Sequence, residues 1–322
     1  MRAARGREGM VLATVLGLLT LFFLVAVALG QAARLQVKAA ARQEGRLKAY
    51  YLARAGLARA QYDLARLWSQ GDPYRAQADG SWQSWSTPQG MVYFAVQDEG
   101  GKLNINSISP VMLERTLEGL KLPEKRRLVV RDSLLDWVDK DGVPRQDGAE
   151  DDYYLGRRPT HAARNQPMES PAELTLVRGV DAGLAFAWGG EPLARAPGGE
   201  GLWRLFTIYK RGAKVDLNSA PLMVLLALPG LDQDTAAKLV EARAAYPFRG
   251  FQRVSRIVGG LRFRELAPYI TVSPGKVYTI ISRAQLNEGR ARHAILAVVR
   301  LETRGGGQNL FWLDDVVQSW QP

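Results

Sequence analysis

The sequence predicts an α+β protein. A long N-terminal helix, membrane-spanning first and amphipathic second, lies against an antiparallel sheet, and a large α-helical domain is inserted among the strands. Three observations carry this. Residues 10–29 form an uncharged apolar run, and no Pro follows it until Pro73. Short β-branched and aromatic runs stand at 91–96 and, far along the chain, at 277–281, 291–301 and 310–313. The stretch between them is helical in pattern and uses one opening motif twice.

Twenty helical residues rise about 30 Å, the thickness of a bilayer's hydrocarbon core, so residues 10–29 can span. Arg2, Arg5 and Arg7 precede the run against one acid, Glu8, which places the short N-terminus in the cytoplasm and everything after Leu29 outside. Ala26-Val27-Ala28 could imitate a signal-peptide cleavage site. Against that, Gln31-Ala-Ala-Arg-Leu35 runs on into an Ala/Arg/Leu-rich stretch. There Leu47, Tyr50, Leu57, Leu64 and Trp68 keep one face at helical spacing, with Ala53 and Ala60 filling the gaps.

At 322 residues and 47% hydrophobic content, the chain can bury a sizeable core. The formal charge is +11, and about +9 without residues 1–9. Such a balance suits an anionic partner, but Arg dispersed along the chain also reads as solvated surface. The absence of Cys excludes a thiol nucleophile, a Cys-ligated metal and disulfides. Imidazole could come only from His161 and His293, and His293, on a strand-like run, reads as structural.

Gln70-Gly-Asp-Pro73 marks a turn, and Gly80-Ser-Trp-Gln-Ser-Trp-Ser-Thr87 reads as punctuated polar sequence. From Gly101 the pattern becomes helical. Lys102-Leu-Asn-Ile-Asn-Ser-Ile-Ser-Pro110 has a near copy in Lys214-Val-Asp-Leu-Asn-Ser-Ala-Pro221, each followed by apolar residues. An oxygen cap and then Pro in the first turn is good chemistry for starting a helix, so the repeat implies two related helical units. Leu226 to Arg243 looks like a helix-hairpin-helix around Pro229-Gly230-Leu231. Asp232, followed by Asp234, stands where phosphate-binding hairpins carry a second Gly; a carboxylate there competes for the helix N–H groups and repels phosphate.

The most distinctive chemistry is Asp136 to Asp152, with seven carboxylates in seventeen residues. With Asp139 as position 1, Asp141, Asp147 and Glu150 fall at 3, 9 and 12 of an EF-hand loop. The match fails at Val143 and at Pro144, where the invariant Gly should be. An oxygen-rich loop closed by Gly and Pro suits Ca²⁺, and a merely solvated acidic loop fits the same residues. Glu150 beside Asp139 could form a glycosidase-like pair, but no sugar-stacking context supports it.

The basic leader ending in Gly9, followed by a hydrophobic residue and then a spanning and amphipathic helix, resembles the type IV pilin and type II secretion pseudopilin family. The resemblance implies cleavage by prepilin peptidase between Gly9 and Met10, and N-methylation of Met10. Most members carry Glu at the fifth mature position, where it neutralises a neighbour's terminal amine; here that residue is Thr14. A charge left unpaired in apolar surroundings costs several kcal/mol, so a subunit without the Glu suits the first position, at the tip.

Asp98-Glu-Gly-Gly-Lys-Leu-Asn-Ile-Asn106, Asp136-Trp-Val-Asp-x-Asp141, Gly148-Ala-Glu-Asp-x-Tyr153, Asn165-Gln-Pro-Met168 with Glu173-Leu, and Val215-Asp-Leu-Asn-Ser-Ala-Pro221 are similar to the protein K family of type II (general) secretion, over essentially the whole chain. That likeness implies a pseudopilin fold whose inserted α-domain contains two SAM-like, helix-hairpin-helix units. The expected division is a leader at 1–9, the span at 10–29, amphipathic helix and first strands at 30–102, the insertion at 103–272 and the last strands at 273–322. It further implies calcium held by Asp139, Asp141, Glu150 and Asp151, with Asp147 and Asp152 as further candidates. Minor pseudopilins I and J are the expected partners, in a single-pass inner-membrane protein whose bulk is periplasmic, without catalytic activity and without nucleic acid. The expected role is capping the pseudopilus tip and starting its assembly. A membrane-anchored DNA receptor of the competence type is the second reading, and a tethered hydrolase the third.

Overall fold

The computed structural model describes residues 5–188, 200–210, 212–288, 291–302 and 307–314. Arg2 in the leader and parts of the expected turns at 287–289 and 305–307 lie outside these.

One helix, α1, runs from Arg5 to Ser69. Along Met10–Leu29 every side chain is exposed, whereas Ala49, Leu52, Ala53, Leu57, Ala60 and Leu64 are buried in a core shared with the sheet. Leu47 departs from the expected face and is 54% exposed. It sits two residues from Ala49, and i, i+2 positions point to different sides of a helix. At Gly56 the helix comes closest to the sheet: a Cβ there would lie 2.3 Å from Ser282 Oγ and 2.4 Å from Val92 Cγ1, so only Gly fits without rearrangement.

The five-stranded sheet has the order β1-β2-β7-β8-β9, all antiparallel, from β1 (Asp79–Ser86), β2 (Gly90–Asp98), β7 (Val277–Leu286), β8 (Arg292–Leu301) and β9 (Gly307–Asp314). β1 corrects the expectation of punctuated polar sequence over 80–87. Its Ser and Gln side chains are half-exposed (Ser81, Gln83) or exposed (Ser84, Ser86) at a sheet edge, and pairing with β2 supplies what its composition lacks. Gly307, expected in a turn, instead opens β9. The continuous apolar reading of β8 follows from burial on both faces: Ile295, Ala297 and Val299 pack toward α1, and Leu296 and Val298 toward the inserted residues.

Residues 99–276 lie between two strands that pair directly, with Gly90 opposite Leu286 and Asp98 opposite Tyr278. In order they form β3 (Leu103–Asn104), α2 (Pro110–Glu118), α3 (Glu124–Val138), α4 (Asp151–Tyr154), α5 (Ala182–Phe186), α6 (Leu202–Leu205), β4 (Phe206–Thr207), β5 (Val215–Asp216), α7 (Leu222–Ala227), α8 (Gln233–Ala245), α9 (Phe251–Val258), α10 (Gly260–Leu266) and β6 (Ile270–Thr271). The two copies of the opening motif therefore begin as short strands rather than directly as helices. β3 pairs in parallel with β4, and β5 with β6.

The copies are equivalent in hydrogen bonding. Asn104 Oδ1 and Asp216 Oδ1 each accept the N–H two residues on, at 3.0 and 3.1 Å. The side chain of Asn106 clamps both backbone groups of Met168, and that of Asn218 does the same to Phe248. Lys210 Nζ ties the copies together by donating to the carbonyls of Lys102 and Lys214, the residues that open them.

Where the sheet enters the insertion, Asp98 is buried and accepts N–H groups from Gly100 and Gly275, each at 2.7 Å. Burial, then the charge of Asp216, pushes its carboxyl up to about 7. Glu99 and Lys102 beside it, Lys210 and Asp216 of the insertion and Tyr278 on β7 make up its surroundings. A carboxyl whose folded pKa is raised binds its proton more tightly when folded, so it subtracts stability as pH rises from about 4 to about 7. Asp98→Asn is expected to be less stable than the parent because it loses one acceptor, and the gap should narrow as pH rises from 5 to 8. Denaturant midpoints across that range would check this, and a constant gap would contradict it.

Candidate functional site

The acidic loop begins where α3 ends and closes where α4 starts. Asp136, on the last turn of α3, is fully buried and organises the loop by accepting the backbone N–H of Ala149 at 2.9 Å and of Arg145 at 3.2 Å. Gly148 is forced, since a Cβ there would fall 1.8 Å from Asp136 Oδ2. The Arg145 guanidinium lies between Asp136 and Asp139, 2.5 Å from an oxygen of each. Asp141 accepts the N–H of Val143 at 3.0 Å, which turns the chain before Pro144.

This scaffold brings Asp139, Asp141 and Glu150 together, with one carboxylate oxygen from each within 4.8 Å of the others. Glu150 is 5% exposed, and neither of its oxygens makes a hydrogen bond of proper geometry; Asp139 Oδ1 is buried without a donor as well. Burial is the main cause that pushes Glu150 up to about 7. The nearby Asn165 side chain opposes this, and the charges of Asp136, Asp139 and Asp151 add to it. Buried carboxylate oxygens without donors are costly unless a cation meets them. The donors are all oxygen, with no His or Cys, and Ca²⁺ takes such a set where Zn²⁺ would not.

The other three expected ligands lie outside that group. Asp151 turns its Oδ1 to the N–H of Ala163 at 2.8 Å. Asp147 is half-buried, its N–H bound to Asp132, and Asp152 is exposed. Sequence reasoning missed Asn165, whose side-chain oxygen is buried without a donor and whose backbone is left-handed at φ 49°. It also missed Arg145, which shares Asp139 with the cluster. A left-handed non-glycine position leans toward Asn, but nothing in the linear sequence brings residue 165 beside residue 150.

At the other end of the molecule, Gly9 and Met10 lie within the continuous turns of α1. The Thr14 hydroxyl donates to Met10 O at 2.8 Å, so its bond is made inside its own helix.

In the hairpin Pro229-Gly230-Leu231, Asp232 caps α8 by accepting the N–H of Thr235 at 2.8 Å and pairs with Arg262 at 2.6 Å. Hydrogen bonds from Thr235, followed by Arg262, hold its carboxyl down at about 2. A carboxylate thus sits where a phosphate would have to, and the DNA-receptor reading gains no support.

Residues 95–185 match the family described as type II secretion system protein K. The chain is similar to the type II secretion system protein K of Pseudomonas aeruginosa, with 26% identity over 267 residues, 77% of this chain and 75% of that protein. It is also similar to the one from Klebsiella pneumoniae, with 33% identity over 108 residues, 30% of this chain and 33% of that protein. In fold it resembles a chain of the crystal structure of the GspK-GspI-GspJ complex from the type 2 secretion system of enterotoxigenic Escherichia coli. There the TM-score is 0.53 at 17% identity, covering 83% of this chain and 97% of that one. The matched residues include the acidic loop and the first copy of the repeated motif, and the likeness to type II secretion system protein K runs along 77% of the chain.

Proposed function

We propose that this chain is a minor pseudopilin of the type II secretion system, cut between Gly9 and Met10 by prepilin peptidase, methylated at Met10, and held in the inner membrane by residues 10–29 until it assembles. There it joins minor pseudopilins I and J, caps the pseudopilus tip and starts its growth toward the outer membrane. The role is structural, with no catalytic step. The observation that carries this is the contrast within α1: all side chains of Met10–Leu29 are exposed and apolar or small, while the far half of the same helix is buried against the sheet. An apolar helix left bare needs lipid or other helices around it.

The orientation rests on the family rather than on charge. Arg34, Lys38, Arg42, Arg46 and Lys48 follow the span closely and outnumber the three arginines before it, so the charge bias alone would not put the N-terminus inside. Thr14 favours the tip because its satisfied, uncharged hydroxyl offers nothing to a neighbour's amine. The two units built on the repeated motif serve as SAM-like packing modules, and calcium held by Asp139, Asp141 and Glu150, with Asn165 as a further oxygen, stiffens the first of them.

Expression with and without a prepilin peptidase, followed by intact mass, tests the reading. A peptidase-dependent, methylated start at Met10 is expected, and an intact Met1 or a cut near Ala28 would end it. Thr14→Glu is expected to shift the subunit away from filament tips, and tip labelling equal to the parent would refute the tip argument.

A further inference from the structure

The head is the body formed by the sheet, the insertion and the buried half of α1; between its base and the apolar span, that helix carries a rail of four cations. Arg34, Lys38, Arg42 and Arg46 are spaced by four residues and all exposed. That spacing sets like charges on neighbouring turns, about 5–6 Å apart at Cβ, which disfavours the bare helix. Only one acid, Glu44, lies between residues 10 and 62, and it pairs with Lys48 at 2.7 Å. Among the described residues no salt bridge reaches the four.

The rail faces the side on which the head sits. Gly45, Ala49 and Ala53 lie seven residues beyond Lys38, Arg42 and Arg46, on the same helix face, and a Cβ on Gly45 would come within 3.3 Å of Ala291 at the foot of β8. The four cations therefore occupy the space between head and bilayer. At 1.5 Å per residue, Arg34 stands about 7 Å beyond Leu29, Lys38 about 13 Å, Arg42 about 19 Å and Arg46 about 25 Å. The headgroup layer adds roughly 5–7 Å on each side of the hydrocarbon. Arg34 lies within it, and Lys38 reaches it by bending its long side chain down. The upper two act only through a field that decays over about 8 Å in physiological salt, unless the helix tilts toward the rail.

We propose that this rail binds the phosphates of anionic phospholipids in the leaflet beneath the head, Arg34 and Lys38 by contact, Arg42 and Arg46 through their field. Lipid is favoured over a partner helix because the rail starts at the edge of the span and lies under the head. The inference rests on the membrane placement proposed above.

The test uses the full chain reconstituted in phosphatidylcholine vesicles doped with phosphatidylglycerol, and measures the preference of spin-labelled phosphatidylglycerol over phosphatidylcholine at the protein surface. The parent should prefer phosphatidylglycerol. The pair Arg34→Gln, Lys38→Gln should lose most of that preference, at roughly fivefold for each cation near the surface. Arg42→Gln, Arg46→Gln should lose less, and added salt should erase that smaller loss first. Lys48→Gln should lose none. No preference in the parent, or equal losses from both pairs, would overturn the proposal. So would unchanged lipid preference combined with loss of co-purifying minor pseudopilins, which would assign the rail to an acidic partner helix. Alkaline carbonate separates the two readings: a chain it releases refutes the membrane placement and the rail with it, while a chain it leaves inserted without lipid preference refutes the rail alone.

Discussion

Replacing Lys102 by Met is expected to lower the stability of the head by about 3–5 kcal/mol, the cost of leaving one member of a buried ion pair alone. Lys102 and Glu99 are both fully removed from solvent and in direct contact at the point where the sheet gives way to the insertion. Thr279 on β7 completes the arrangement: its hydroxyl donates to Glu99 at 2.5 Å and accepts from Lys102 and from Trp203 Nε1, each at 3.1 Å. The ammonium also lies 4.6 Å from the centre of the Trp203 ring. Burial lowers the lysine's pKa and Glu99 opposes this, so the charge persists only while its partner is there. The double change Glu99→Gln, Lys102→Met should recover most of the loss, because two neutral groups need no counter-charge. Denaturant midpoints of the two single variants and the double variant form the cycle that checks this, and a double variant as damaged as the sum of the singles would refute it.

Millimolar Ca²⁺ is expected to raise the melting temperature of the parent, and Glu150→Gln to abolish that rise. A site filled at about a hundred times its dissociation constant adds about 2.7 kcal/mol. At about 2.1 cal/mol/K of unfolding entropy per residue, that corresponds to roughly 4 °C for a protein of this size. Glu150→Gln should also be more stable than the parent when calcium is chelated, since it replaces a buried carboxyl that has no donor with a neutral amide. Asp152→Asn, exposed and outside the group, should leave the shift intact. Equal shifts in the parent and in Glu150→Gln would remove the site, whatever their size.

The helix was legible because its signal is local: an apolar run and a spacing, both readable within a few turns. So were β2, β7 and β8, whose β-branched and aromatic content declares a buried strand. β1 was not legible, because Gly80-Ser-Trp-Gln-Ser-Trp becomes a strand through its pairing with β2, an interaction its own residues do not announce. Leu47 was misplaced because a face read from hydrophobicity alone does not say where the sheet begins to cover the helix. The acidic loop shows the same boundary. Its carboxylates are plain in the sequence, but which of them converge depends on Asp136 folding the loop under α3 and on Ala163 drawing Asp151 aside. Asn165 reaches the cluster only through the fold.

The direct pairing of β2 with β7 also sets an order of events for a chain made from its N-terminus. When β2 leaves the ribosome, its partner edge lies beyond residues 99–276, a delay on the order of ten seconds at ordinary synthesis rates. Throughout that interval β2 presents unpaired N–H and C=O groups along one edge, the kind of surface that templates aggregation. Once the insertion has folded, Gly275 at its end can donate to Asp98 at the end of β2, so closing the sheet becomes a short local step. The insertion then acts as the sheet's assembly clamp, and damage to its core should appear as aggregation of newly made chains before it appears in the sheet of finished ones.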